Sequence, residues 1–164
     1  MPDLLTERPR ITFGMIVLNG EPFLRYNLRA LYPFAHQIIV VEGAVFAAAA
    51  IATTDGHSTD STLETLHQFK AKEDPDDKII IVTRDGFWSE KDEQSQAYAD
   101  LATGNYLWQI DADEFYQPAD LQKVIDLLAD DQQISAVSFH QLSFWGGFDY
   151  IADGWYLHQG GNHF

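Results

Sequence analysis

Five short runs of almost uninterrupted apolar residues, spaced along the chain with helical patterns between them, limit what this sequence can fold into. They are Ile11–Leu18 (ITFGMIVL), Gln37–Val41 (QIIVV), Lys78–Thr83 (KIIIVT), Tyr106–Ile110 (YLWQI) and Ile134–Phe139 (ISAVSF). A strand that is apolar at nearly every position, rather than at alternate ones, has both faces covered, as in parallel sheets connected by helices. The intervening segments supply those helices. Phe23, Leu24, Leu28 and Leu31 recur with helical spacing up to Pro33. Leu63, Leu66 and Phe69 follow the candidate caps Ser58, Thr59 and Asp60; Ala97, Leu101 and Ala102 follow Ser89; Leu121, Val124, Ile125 and Leu128 follow Pro118. The expected fold class is therefore α/β: a mostly parallel, Rossmann-like sheet of about five to six strands, helices on both faces and right-handed crossovers.

The fourth run ends abruptly in Asp111-Ala112-Asp113-Glu114. With 17 Asp in 164 residues, chance alone supplies about two Asp-x-Asp triplets, so the triplet proves little. The other one, Asp74-Pro75-Asp76, lies in the polar, proline-broken run KEDPDDK and reads as a solvated turn. Position distinguishes the two, because ligands of open α/β sheets bind outside the carboxyl ends of the strands. Two other strand ends are also polar, Asn19 after the first and Glu42 after the second. Each alone is an ordinary turn residue; three on one edge make a site. A nucleoside diphosphate suits such an edge. Carboxylates accept hydrogen bonds from a base or ribose, and a carboxylate-bound divalent cation bridges phosphates. Lys91, at the start of the third helix, gains nothing from the helix dipole. It is either a solvated member of SEKDE or a cation aimed at those phosphates. Trp145, followed by Gly146 and Gly147, is either a sugar-stacking platform or a packed aromatic loop.

Composition narrows the partners. A formal net charge of −15 excludes nucleic acid as a ligand and disfavours anionic membrane surfaces. The chain has no cysteine, no signal-type apolar leader in MPDLLTERPR, and no apolar run of the ~18 residues a transmembrane segment needs. A cytoplasmic domain is the expectation. Ala44–Thr54 (AVFAAAAIATT) is either a short helix or surface loop, or a flap over a ligand. Gln141–Phe164 is aromatic and glycine-rich without periodicity, as in a chain interrupted at its C-terminal side.

Taken in order, these segments resemble a family 2 nucleotide-diphospho-sugar glycosyltransferase of the GT-A fold. The matching stretches are Asn19-Gly20-Glu21 after strand one, IIVVEG, DGHSTDST at a helix entry, Lys91 and then Gly104-Asn105-Tyr106 before strand four, and IDADEF for the Asp-x-Asp motif. The resemblance spans roughly residues 10–147 of a single domain 1–164, with 148–164 beginning an acceptor region. It implies transfer of a sugar from a nucleotide-diphosphate donor to a hydroxyl of a glycan, lipid or small-molecule acceptor, or donor binding without turnover. Asp111 would contact ribose or metal-bound water, and Asp113 would coordinate Mg2+ or Mn2+. Asn19 and Lys91 would line the donor site. Because Ala44–Thr54 separates the strand-two acid from the DGHSTDST turn, the base contact stays open between Glu42 and Asp55. Trp145 falls on the acceptor side, and the late carboxylates Asp149 and Asp153 are the candidates for general base.

Overall fold

The first strand, β1 (Ile11–Val17), is paired in parallel on both edges, to β2 (Gln37–Glu42) and to β4 (Tyr106–Asp111). With β3 (Ile79–Val82) outside β2, the order is β3-β2-β1-β4 and every pairing is parallel. The computed structural model describes residues 8–144, 146, 147 and 149–151. The chain divides into two compact units, Met1–Asp131 and Gln132–Phe164, and the whole sheet belongs to the first.

Parallel neighbours need crossovers, and helices α1 (Leu24–Leu31), α2 (Thr62–Glu73) and α3 (Lys91–Leu101) supply them, with α4 (Pro118–Asp130) after the last strand. Register partners share a face of the sheet. Gly14, Ile16, Ile39, Val41, Ile80 and Val82 therefore look to one side, where Tyr98 and Trp88 cover them. On the other side lie Phe13, Met15, Ile38 and Val40, all fully buried, together with Leu24, Leu28 and Leu31 of α1 and Leu66 and Phe69 of α2. Burying each such side chain stabilises the fold by about 1.5–3 kcal/mol. Central β1 and β2 are thus covered twice, as their all-apolar sequences require.

Three expectations need correction. Ile134–Phe139 forms no strand; among the described residues of the second unit the only pairing is a single antiparallel bridge, Phe144–Ile151. An apolar run becomes a strand only where a partner satisfies its N–H and C=O groups, and the sequence carries no sign of whether one exists. The described sheet accordingly has four strands rather than five or six. β4 is also an edge strand of its unit, with Trp108 and Ile110 buried but Leu107, Gln109 and Asp111 exposed. In α3, Leu101 is exposed; Gln94 and Tyr98 point inward instead. Among the described residues no helix is long and apolar enough to cross a membrane.

The entry to α3 is held differently from the expected Ser89 cap. Ser89 donates both its N–H and its hydroxyl to Glu93 Oε2, each at 2.8 Å. Arg84, whose guanidinium lies 4.0 Å from the centre of the Trp88 ring, donates to both oxygens of the same carboxylate at 2.7 and 3.1 Å.

Two measurable consequences follow from this packing. A Cβ on Gly14 would lie 2.5 Å from the buried Tyr98 ring, so Gly14→Ala should cost about 1–3 kcal/mol in urea denaturation by overpacking; an unchanged midpoint would contradict the packing described. The hydrogen bond from Arg84, followed by those from Ser89, lowers the Glu93 pKa from 4.5 to about 2. A carboxylate depressed in the folded state stabilises fully above its unfolded pKa and loses that contribution as pH falls through its folded value. The stability gap between wild type and Glu93→Gln should therefore be level above 4.5 and close between 4.5 and about 2.

Candidate functional site

The register that builds the sheet also places three strand ends together. Val17 stands opposite Glu42 and Ile16 opposite Asp111, so the ends of β2, β1 and β4 follow one another along the carboxyl edge at about 4.8 Å per strand. A cleft of about 370 Å3 opens there. Its lining brings together Asn19, Lys91, Asp111 and Asp113, together with the apolar wall Ala44, Val45 and Ala48. Glu42 and Asp55 are not among its lining residues. Asp149 is exposed and belongs to the second unit. Trp145 and Asp153 lie outside the described residues.

Asn19 forms the corner of the cleft. Its φ of +54° is a left-handed conformation that Asn tolerates better than most residues. The side chain spans two segments, its Nδ2 donating to the Ile51 carbonyl at 2.8 Å and its Oδ1 accepting from the Thr59 N–H at 2.7 Å. Its own N–H donates to Ser58 Oγ at 3.0 Å. The next two amides continue the lock, Gly20 N–H to Thr62 Oγ1 at 2.8 Å and Glu21 N–H to Asp60 Oδ2 at 3.1 Å. Asp60 also accepts the Thr62 N–H at 2.9 Å; the N-cap of α2 is Ser61, which makes no side-chain capping bond, rather than Ser58, Thr59 or Asp60. Burial raises the Asp60 pKa, but hydrogen bonds from Thr62 and Glu21 outweigh it and hold the carboxyl below its ordinary value.

Glu42 is fully buried. Its carboxylate accepts from the Ser58 N–H at 2.7 Å and the Thr83 hydroxyl at 3.2 Å, and lies 2.9 Å from His57 Nδ1. The hydrogen bond to Glu42 raises the His57 pKa against the opposing effect of burial, and Asp85 at 3.5 Å from Nε2 adds to it. The Glu42 side chain thus organises the loop after β2, while the following residues, Gly43 to Val45, reach the cleft. Gln94 of α3 fixes that backbone by donating to the Gly43 carbonyl at 2.8 Å. Asp55 is exposed, its pKa lowered by the Thr53 hydroxyl. The alanine-rich segment is a 3₁₀ helix, Phe46–Ile51, with Phe46 stacked on Phe87 at 5.4 Å and with Phe46 and Ile51 65% and 59% exposed.

At the opposite side of the cleft, β4 runs into a tight turn. The Glu114 N–H donates to the Asp111 carbonyl at 3.1 Å, and the Asp111 N–H donates back to the Glu114 carboxylate at 3.1 Å. The turn is clamped from α1 by Asn27, whose Nδ2 donates to the carbonyls of Asp111, Ala112 and Glu114 at 3.0, 3.0 and 2.8 Å. Asn27 is 1% exposed, and its Oδ1 has no hydrogen-bond partner among the described residues. Such an orphan acceptor costs about 1–3 kcal/mol. The readings of the sequence missed Asn27, although a polar residue within the buried stripe Leu24, Leu28, Leu31 marks it. The carboxylates of Asp111 and Asp113 are exposed at the cleft. Lys91, also exposed there, has no ion-pair partner among the described residues.

Two carboxylates facing a cleft do not make a closed metal cage, and no cluster of three or more His, Cys, Asp or Glu suited to a metal occurs among the described residues. They do fit a hard divalent cation of the kind that takes one or two protein carboxylates and completes its coordination with substrate phosphates and water.

A search among curated proteins finds no match. Among solved structures, residues 1–349 of S. aureus TarS superpose with a TM-score of 0.56 at 13% identity, covering 74% of this chain and 32% of that one. The same protein in complex with UDP gives the same values. At that identity the likeness establishes the fold, and this chain spans about a third of the length of those structures. The family model "Glycosyl transferase family 2" matches residues 49–160, more than half the chain, a span that includes Asp55, Lys91, Asp111 and Asp113. The chain belongs to glycosyl transferase family 2.

Proposed function

We propose that this chain forms the donor-binding part of a glycosyltransferase that moves a sugar from a nucleoside diphosphate to an acceptor hydroxyl. One observation carries the reading: Asp111, Asp113 and Lys91 converge on a single cleft at the carboxyl edge of a parallel sheet. The complex of TarS with UDP, a protein of like fold, supports a nucleotide as occupant.

Electrostatics dictates the division of roles. A diphosphate brought against two carboxylates in a chain of net charge −15 meets repulsion that one lysine does not offset. A divalent cation, Mn2+ or Mg2+, held by Asp111 and Asp113 would neutralise the diphosphate and act as a Lewis acid toward the departing nucleoside diphosphate. Lys91, which lines the same cleft, adds a second positive charge. Asn19 holds the rim, and the apolar wall of Ala44, Val45 and Ala48 offers a flat surface to a base or sugar. Glu42 acts through the loop it orders, and Asp55 lies off the cleft, so the backbone of residues 43–45 is the better candidate for contact with the base.

An alternative, donor binding without turnover, draws on the same geometry. Apart from Asp111 and Asp113, the only described carboxylate lining the cleft is Glu21, which accepts the hydroxyl of Thr65, and no described histidine lines it. Release of free sugar, or transfer to an added acceptor, separates the two readings.

Calorimetry with UDP and other nucleoside diphosphates, with and without Mn2+, tests the donor site. Binding should tighten with metal in the wild type and lose that gain in Asp113→Ala. At a ligand concentration of 100 Kd the wild type should gain about 2.7 kcal/mol of apparent stability. Equal affinity in Asp113→Ala would remove the metal role.

A further inference from the structure

We propose that Asn27, on α1, is a positioning residue that sets the Asp111–Glu114 turn in the geometry by which Asp111 and Asp113 hold a cation-bridged diphosphate. The inference rests on the donor-site reading above and adds to it a residue with no contact to the donor.

Three features of Asn27 support this. First, its amide group is spent entirely on one short stretch of backbone: the carbonyls of Asp111, Ala112 and Glu114 all accept from the same Nδ2. Two donor hydrogens serving three acceptors make a shared, forked contact that fixes the relative orientation of successive peptide planes, and hence the directions in which the Asp111 and Asp113 side chains leave the backbone. Second, the residue is buried and its Oδ1 is left without a partner. An interior position chosen for stability alone would take an apolar side chain like its neighbours Leu24, Leu28 and Leu31; the orphan acceptor is a cost that accompanies the donors. Third, the turn is anchored to α1 through it. The turn lies just beyond an edge strand with one exposed face, and the one Asn27 amide reaches the carbonyls of three of its four residues. Two exposed carboxylates that repel one another would otherwise spread, and a cation site built from them needs its ligands held before the cation arrives.

The test compares wild type, Asn27→Leu and Asn27→Ser in the full 164-residue chain. Asn27→Leu keeps the number and branching of the side-chain heavy atoms and removes the donors; Asn27→Ser, should the first variant fail to fold, shortens the side chain and leaves one hydroxyl donor in place of the two amide hydrogens. Two readouts are taken: UDP affinity with and without Mn2+ by calorimetry, and amide hydrogen exchange in the free protein. The expected result is a loss of about 10- to 100-fold in the Mn2+-dependent gain, the scale found for groups that orient metal ligands, with metal-free UDP affinity within about twofold of wild type. Exchange at the Asp111 and Glu114 amides should accelerate by about tenfold or more, while Met15 and Val40 in the central strands stay as protected as before.

An Mn2+ gain retained in both variants overturns the assignment of Asn27. So does a parallel loss of metal-free and metal-dependent affinity with faster exchange throughout the sheet, since that is loss of fold. A wild type that shows no Mn2+ gain overturns the donor-site reading, and the role of Asn27 in it falls with it.

Discussion

β1 is hydrogen-bonded along both edges in parallel register, and every group at the cleft takes its position from that arrangement. A shift of one residue in the β1–β4 pairing would turn Trp108 and Ile110 outward and carry Asp111 to the other face, because side chains alternate with period two. The burial of Phe13, Met15, Trp108 and Ile110 on one side resists such a slip. The same apolar matching that gives the sheet its stability therefore gives the acidic turn its location. The cleft is a consequence of core packing, and the polar residues at its rim refine a position that hydrophobic contacts have already set.

The rim is then assembled from segments far apart in sequence. Asn19, Ser58 to Thr62 and Ile51 form one hydrogen-bonded corner; Glu42, His57, Ser58 and Thr83 form the next. Neither corner presents its carboxylates freely. Asp60 and Glu42 are occupied in ordering backbone and Glu21 accepts from Thr65, which leaves Asp111 and Asp113 as the acids that line the cleft together with Lys91. An acidic chain can in this way offer few of its 25 carboxylates to an anionic ligand, since much of its negative charge is tied to amide groups or salt bridges elsewhere.

The architecture was legible in the sequence where burial decides it. Four apolar runs became the four strands, and the stripes Leu24, Leu28, Leu31 and Leu66, Phe69 became the inner faces of α1 and α2. The convergence of Asn19, Lys91, Asp111 and Asp113 was legible too, because strand order in a parallel sheet brings carboxyl ends together regardless of detail. What escaped was pairing and direction. Ile134–Phe139 has the composition of a strand, but composition does not say whether a ladder partner is present. Ala97 and Ala102 pack inward from α3 as expected, but Leu101 does not, and Gln94 and Tyr98 complete that face, since Gly14 leaves room for a ring and the Gly43 carbonyl requires a donor. Glu42 sits at a strand end as expected, but a strand-end acid can turn inward, and only the arrangement of His57, Ser58 and Thr83 reveals that it does. Asn27 drew no reading within its apolar stripe, because its partners lie more than 80 residues away.

The 3₁₀ helix Phe46–Ile51 reaches the cleft through Ala48 and is tethered at each end, through Ala44 and Phe46 to Trp88 and through Ile51 to Asn19. Between those tethers it contributes no buried residue. For a segment closed at fixed points, the chain-entropy cost rises only with the logarithm of its length, about 0.6 kcal/mol for each doubling. Its length can therefore vary at little entropic cost to folding, while Ala48 keeps its place at the cleft between the two tethers. Freedom from the core and a place at the cleft thus coincide in this segment, whereas β1 reaches the same cleft from the buried interior.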